Sequence, residues 1–177
     1  MKSRILVILL LAISFRLCAQ DSEILGDNVL RFYRLAIPVT KSAYEEDLDS
    51  DYNNVLAFWR ECEDYVNNLY VPLGFCFDVI EDEKLVLHEH GMIDENVYNA
   101  PSFGTELLNE LISSSAYDIG MWVTHRDDYE ENSGLSIENG AYLNSTKACG
   151  YAKTDKWVVA HEIGHLLGAN HPPSGEG

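Results

Sequence analysis

The apolar pattern of the chain predicts an α/β layer with a mixed sheet. Short runs that alternate or are wholly apolar take turns with longer stretches whose apolar residues recur every three or four positions. The order is strand, helix, strand, helix, strand, loop, strand, helix. At 177 residues the length suits one domain, and no repeat or Pro/Gly-rich linker divides it.

Val29–Thr40 alternates and then becomes apolar, as a strand does. Asp49–Leu69 carries Val55, Phe58, Trp59, Cys62, Val66 and Leu69, one helical stripe, with Asp49, Ser50 and Asp51 as possible N-caps. Pro72 and Gly74 end that helix. Phe75–Ile80 reads as a second strand and Lys84–His88 as a third or its continuation. Asn99–Gly104 reads as a loop and Thr105–Ser113 as a short helix. Tyr117–Thr124 is a strong strand. Arg126–Gly134 is a charged loop, Leu135–Asn144 holds an edge strand, and Cys149–Ala152 is a short strand. Thr154–Leu167 is the last helix.

The first residues form a targeting segment. Lys2 and Arg4 precede an apolar run, Ile5–Phe15, too short for the roughly 20 residues of a spanning helix. Residues 1–19 are expected to be a signal peptide cut near Ala19–Gln20, residues 20–29 a short acidic lead, and residues 30–177 the functional domain. Acylation of Cys18 and a retained anchor are the alternatives. The protein is therefore expected outside the cytoplasm, secreted or periplasmic, with no membrane partner after cleavage.

Charge narrows the partners. Twelve Lys and Arg stand against 29 Asp and Glu, a net charge of −17. Cleavage after residue 19 removes Lys2, Arg4 and Arg16, leaving 9 basic against 29 acidic residues, or −20. Such a field repels phosphate, so nucleic acid is not an expected partner. Cys62, Cys76 and Cys149 remain, an odd number. Cys62 and Cys76 could be joined, although three small buried residues are the simpler reading.

The chemistry lies in His161-Glu162-Ile163-Gly164-His165-Leu166-Leu167-Gly168-Ala169-Asn170-His171. On a helix, His161 and His165 share a face, one turn apart. Glu162 lies about 100° round from His161. It is placed to reach a water rather than to complete the ligand face. Gly168 suits a helix end with positive φ, after which the chain turns and His171 can return. Pro172 and Pro173 prevent the helix from resuming. Three imidazoles with an open fourth position make a catalytic type of Zn²⁺ site. The metal would be held by His161, His165 and His171, with Glu162 as general base for hydrolysis of a peptide bond. Five fixed positions, three of them His, arise by chance on the order of 10⁻⁸ per window. A buried helix with incidental histidines is thereby set aside.

These residues resemble the metzincin zinc endopeptidases, whose motif is H-E-x-x-H-x-x-G-x-x-H. Upstream, the Tyr117–Thr124 strand, the Gly140-Ala141-Tyr142 stretch and the run through Cys149-Gly150 are similar to the reprolysin (adamalysin-like) branch. The resemblance spans roughly Leu30–His171. It implies an upper subdomain with a twisted, mixed five-stranded sheet and two long helices. It also implies an edge strand near Ala141–Asn144 that binds peptide or protein substrate antiparallel above the zinc. Members of this group continue into a lower subdomain with a methionine beneath the metal. Here six residues follow His171, and the methionines are Met1, Met92 and Met121. The lower subdomain is therefore expected to be missing. A catalytically inactive zinc-binding remnant or binding module is the rival reading.

Other candidates have plainer readings. Asp21, Glu23 or Asp27 could reach the metal in a latent form, but an acidic tail suffices to explain them. His88 and His90 could share a strand face, and Glu45, Glu46, Asp47, Asp49 and Asp51 could attract Ca²⁺. Solvated surface is the default for both groups. Asn144-Ser145-Thr146 matches a glycosylation acceptor.

Overall fold

The computed structural model describes residues 29–125, 134–143, 145–148 and 150–171. The signal-type segment with Cys18, the acidic lead with Asp21, Glu23 and Asp27, the charged loop 126–133, Asn144 and Cys149 lie outside the described residues.

Strand β1 (Arg31–Ala36) pairs in parallel with β2 (Phe75–Val79) and with β3 (Ile119–Gly120). A second sheet joins β4 (Trp122–Thr124) in parallel to β6 (Gly150–Lys153), and β6 antiparallel to β5 (Gly134–Ser136). The orders are β2-β1-β3 and β4-β6-β5. The mixed α/β class is as expected. Among the described residues the strands form two sheets of three, adjoining at Met121, rather than the expected single five-stranded sheet.

Proline explains the break. Met121 N donates to Ala36 O at 2.9 Å, and Val123 N donates to Pro38 O at 2.8 Å. A regular parallel ladder would place a donor between these two bonds, at residue 38, aimed at Met121 O. Pro38 has no N–H to supply it. Pairing resumes one step on, where Thr40 N donates to Val123 O at 2.9 Å.

The helices are α1 (Lys41–Glu46), α2 (Tyr52–Tyr70), α3 (Met92–Glu95), α4 (Ala100–Leu111) and α5 (Lys156–Leu166). Among the described residues only α2, at 19 residues, is long; α4 and α5 have 12 and 11. Asp51 caps α2, its carboxylate accepting from Asn53 N at 2.8 Å. Alanine there would cost about 1 kcal/mol. Val55, Trp59, Cys62 and Val66 form its buried stripe. The Trp59 indole donates to Ile37 O at 2.9 Å. Asn67 is clipped to β2 in both directions, Nδ2 to Phe77 O and Phe77 N to Oδ1, each at 2.8 Å. Gly74, at φ 90°, turns the chain into β2.

Helix α4 begins earlier than the sequence suggests, at Ala100 rather than Thr105. Pro101 is tolerated in a first turn, where its missing N–H has no helical partner. Gly104 is helical because the space for a side chain is filled. A Cβ there would lie 2.2 Å from Ala148 O and 3.0 Å from the Trp122 indole nitrogen. Lys84–His88 is not a full strand. It holds a short 3₁₀ turn, Glu83–Leu85, and one bridge from Val86 to Val39.

The core lies between α2 and the sheets, with Trp59, Trp122, Tyr117, Tyr151 and Phe77 almost wholly enclosed. Each side chain of this size contributes roughly 1.5–3 kcal/mol by leaving water. No disulfide joins Cys62 and Cys76, which are both buried. Burial pushes the Cys62 thiol far above its usual pKa, so it packs as an apolar residue. No helix among the described residues is long and apolar enough to cross a membrane.

Candidate metal centre

Helix α5 starts at Asp155, whose carboxylate accepts from Trp157 N at 2.8 Å. Val159, Ala160, Ile163 and Leu166 face the core. His161 and His165 take the opposite side, as their spacing dictates. Tyr70 of α2 fixes the helix from behind, its hydroxyl donating to Ala160 O at 2.8 Å.

The helix ends where glycine is required. Gly168 has φ +98°, and Gly168 N and Ala169 N donate to His165 O and Gly164 O at 2.9 and 2.8 Å. A Cβ on Gly168 would stand 2.4 Å from Asn139 Oδ1. The segment after β5 clasps this turn. Asn139 N donates to His165 O at 3.0 Å, the Tyr142 hydroxyl to Leu167 O at 3.2 Å, and Asn170 Nδ2 to Glu138 Oε1 at 2.9 Å. His171 is thereby returned to the helix.

Three ring nitrogens converge. His165 Nε2 lies 3.1 Å from His161 Nε2 and 3.1 Å from His171 Nε2. The three residues form the one cluster of potential metal ligands among the described residues. His165 Nδ1 lies 2.6 Å from Ala169 O. A carbonyl can only accept, so Nδ1 carries the hydrogen, and in the neutral ring Nε2 keeps a bare lone pair. One lone pair accepts one hydrogen bond, yet two nitrogens press on it at 3.1 Å. A shared cation accounts for both contacts. Nitrogens about 2.0–2.1 Å from a tetrahedral ion stand roughly 3.3 Å apart. The donor set therefore fits Zn²⁺.

Glu162 is buried, only 4% exposed, and its side chain lies against β5. The Ser136 hydroxyl lies 2.7 Å from its Oε2 and 3.0 Å from its backbone carbonyl. Gly134 lies against the same side chain, where a Cβ would come within 2.8 Å of Oε1.

The structure thus brings together His161, His165 and His171, with Glu162 buried on the same helix against β5. It does not join His88 and His90 to them; both are exposed, and the His88 ring meets Tyr44 edge-on at 5.2 Å. Asp47 is engaged by His125 Nδ1 at 2.7 Å and by the Thr154 hydroxyl. The edge strand, Gly134–Ser136, falls at the start of the expected Leu135–Asn144 stretch, but the expected strand near Ala141–Asn144 is corrected, since Gly140–Tyr142 is a 3₁₀ turn. Asn139, at φ 63°, turns the chain out of the strand direction before that stretch is reached. Sequence reasoning missed Tyr70, Gly134, Ser136 and Asn139. Nothing local marks Tyr70, Gly134 or Ser136, because each acts on α5 across a long interval of chain; Asn139 is marked by the turn-forming Asn139-Gly140 dipeptide.

Residues 64–172, more than half of the chain, match the family described as Metallo-peptidase family M12B Reprolysin-like. The chain belongs to the reprolysin-like metallopeptidases. The match contains the helix, the turn and all three histidines. Among curated proteins, none matches the chain. A solved structure titled "Structure of a chaperone-substrate complex" is similar in fold, with TM-score 0.63 and 14% identity over 82% of this chain. The chain spans 27% of the length of that one.

Proposed function

We propose that the protein is a secreted zinc-dependent endopeptidase. The observation that carries this is the meeting of three imidazole nitrogens, one with its lone pair fixed by the Ala169 carbonyl, on the helix that also carries the buried Glu162. His161, His165 and His171 are the proposed ligands. Zinc held there would act as a Lewis acid, making water a better nucleophile and polarising a peptide carbonyl.

Glu162 is the proposed general base. It takes a proton from the attacking water as the water oxygen bonds to the amide carbon. It then gives that proton to the leaving nitrogen as the C–N bond breaks, and the carboxylate is restored. β5 is the edge strand of its sheet, so a peptide laid along it would extend the sheet by main-chain hydrogen bonds. Lys2, Arg4 and the apolar run Ile5–Phe15 support export, and the net charge of −17 supports peptide rather than nucleic-acid substrates.

The test is cleavage of a mixed peptide library by the zinc-loaded protein. Cleavage should stop with a chelator and return when zinc is restored. A protein that holds zinc and leaves every peptide intact overturns the endopeptidase reading and is a zinc-binding protein without catalysis.

A further inference from the structure

Strands β5 and β6 turn small residues toward α5. Gly134 and Ser136 pair with Ala152 and Gly150. Side chains alternate along a strand, so Gly134 and Ser136 share one face and Leu135, 41% exposed, takes the other. A Cβ on Gly134 would lie 2.7 Å from Glu162 Cγ, and a Cβ on Gly150 would lie 2.7 Å from Ser136 Cβ. Absent side chains at these two places let Glu162 and Ser136 come together. Of these four strand residues, Ser136 alone has a polar side chain. Its hydroxyl has one proton and two acceptors, the Glu162 carboxylate at 2.7 Å and the Glu162 carbonyl at 3.0 Å. The carboxylate is nearer and, when ionised, the stronger acceptor.

We propose that Ser136 is a positioning residue for the general base, holding Oε2 of Glu162 so that the other carboxylate oxygen carries the proton. This rests on the peptidase reading of Glu162. A glutamate side chain turns about three bonds, and its usefulness as a base depends on a fixed aim. Gly134 and Ser136 supply that aim from one side. Both are on the edge strand proposed to carry the peptide, so the same strand would hold the substrate and the base that acts on it.

The experiment compares wild type, Ser136→Ala, Ser136→Thr and Glu162→Ala in one peptide-cleavage assay, with zinc content and Tm measured beside it. Ser136→Ala should lower kcat by about ten- to a hundredfold, the loss of one charge-assisted hydrogen bond. KM and zinc content should stay at wild-type values. Ser136→Thr should recover most of kcat, since it keeps the hydroxyl. Wild-type kcat in Ser136→Ala overturns the proposal, as does a loss of kcat that Ser136→Thr does not recover. If wild type itself does not cleave, the peptidase reading fails separately. A crystal structure of Ser136→Ala then decides: a displaced Glu162 carboxylate supports the positioning role, and an unmoved one overturns it.

Discussion

The hydroxyl of Tyr70 occupies the space that a side chain on Gly164 would need. It donates to Ala160 O at 2.8 Å, and a Cβ on Gly164 would lie 2.7 Å from it. The long helix α2 therefore sets the height of α5, and so of both helical histidines. Tyr70→Phe should lower stability by about 1 kcal/mol, or Tm by about 2–4 °C. Gly164→Ala should push the hydroxyl off its carbonyl. In the Tyr70→Phe background the same substitution should cost less, and a double-mutant cycle of melting curves measures that coupling.

Gly168 is constrained twice, by φ +98° and by Asn139 Oδ1. Gly168→Ala should cost about 1–2 kcal/mol for the left-handed backbone, and more for the contact. Because His171 follows three residues later, zinc should bind more weakly as well. Thermal melting and competitive zinc titration read the two effects separately.

The convergence of His161, His165 and His171 was legible because they lie within eleven consecutive residues whose spacing is itself geometry. Helix α2 was legible for the same reason, with Asp51 named among its caps. What was not legible depends on partners far along the chain. Gly104 reads as a loop residue until Ala148 and Trp122 are seen against it. The division of the sheet at Met121 depends on Pro38, 83 positions earlier. Ser136 carries no mark of its contact with Glu162, because only the pairing of β5 with β6 brings it there. The edge strand stops short of Ala141–Asn144 because the chain turns left-handed at Asn139, and the Asn139-Gly140 dipeptide is the sequence signal for that turn.

Gly134→Ala should test the fit of β5 against Glu162. Its Cβ would lie 2.7 Å from Glu162 Cγ and 2.8 Å from Oε1, so the buried side chain must shift. Stability should fall by about 1–3 kcal/mol. Cleavage should fall because the carboxylate is displaced, while zinc content stays whole. Peptide assays with metal analysis check this.

Arg34 holds Asp118 by Nε to Oδ2 at 2.9 Å and Nη2 to Oδ1 at 2.7 Å, joining β1 to the turn before β3. The guanidinium keeps the Asp118 carboxyl below the usual aspartate range. A depressed folded pKa gives stability that is present above the unfolded value, near pH 4, and lost as pH falls through the folded one. Wild type should therefore exceed Asp118→Asn in stability at pH 7, with the gap closing below about pH 4. Denaturant unfolding at several pH values checks the sign.

The central claim is that Glu162 moves the proton at a metal site that the histidines alone assemble. Its most direct test is cleavage by zinc-loaded wild type and Glu162→Ala, with zinc content measured in both. Equal zinc and a loss of at least about a hundredfold in cleavage are expected for the variant. Undiminished cleavage by Glu162→Ala would contradict the claim.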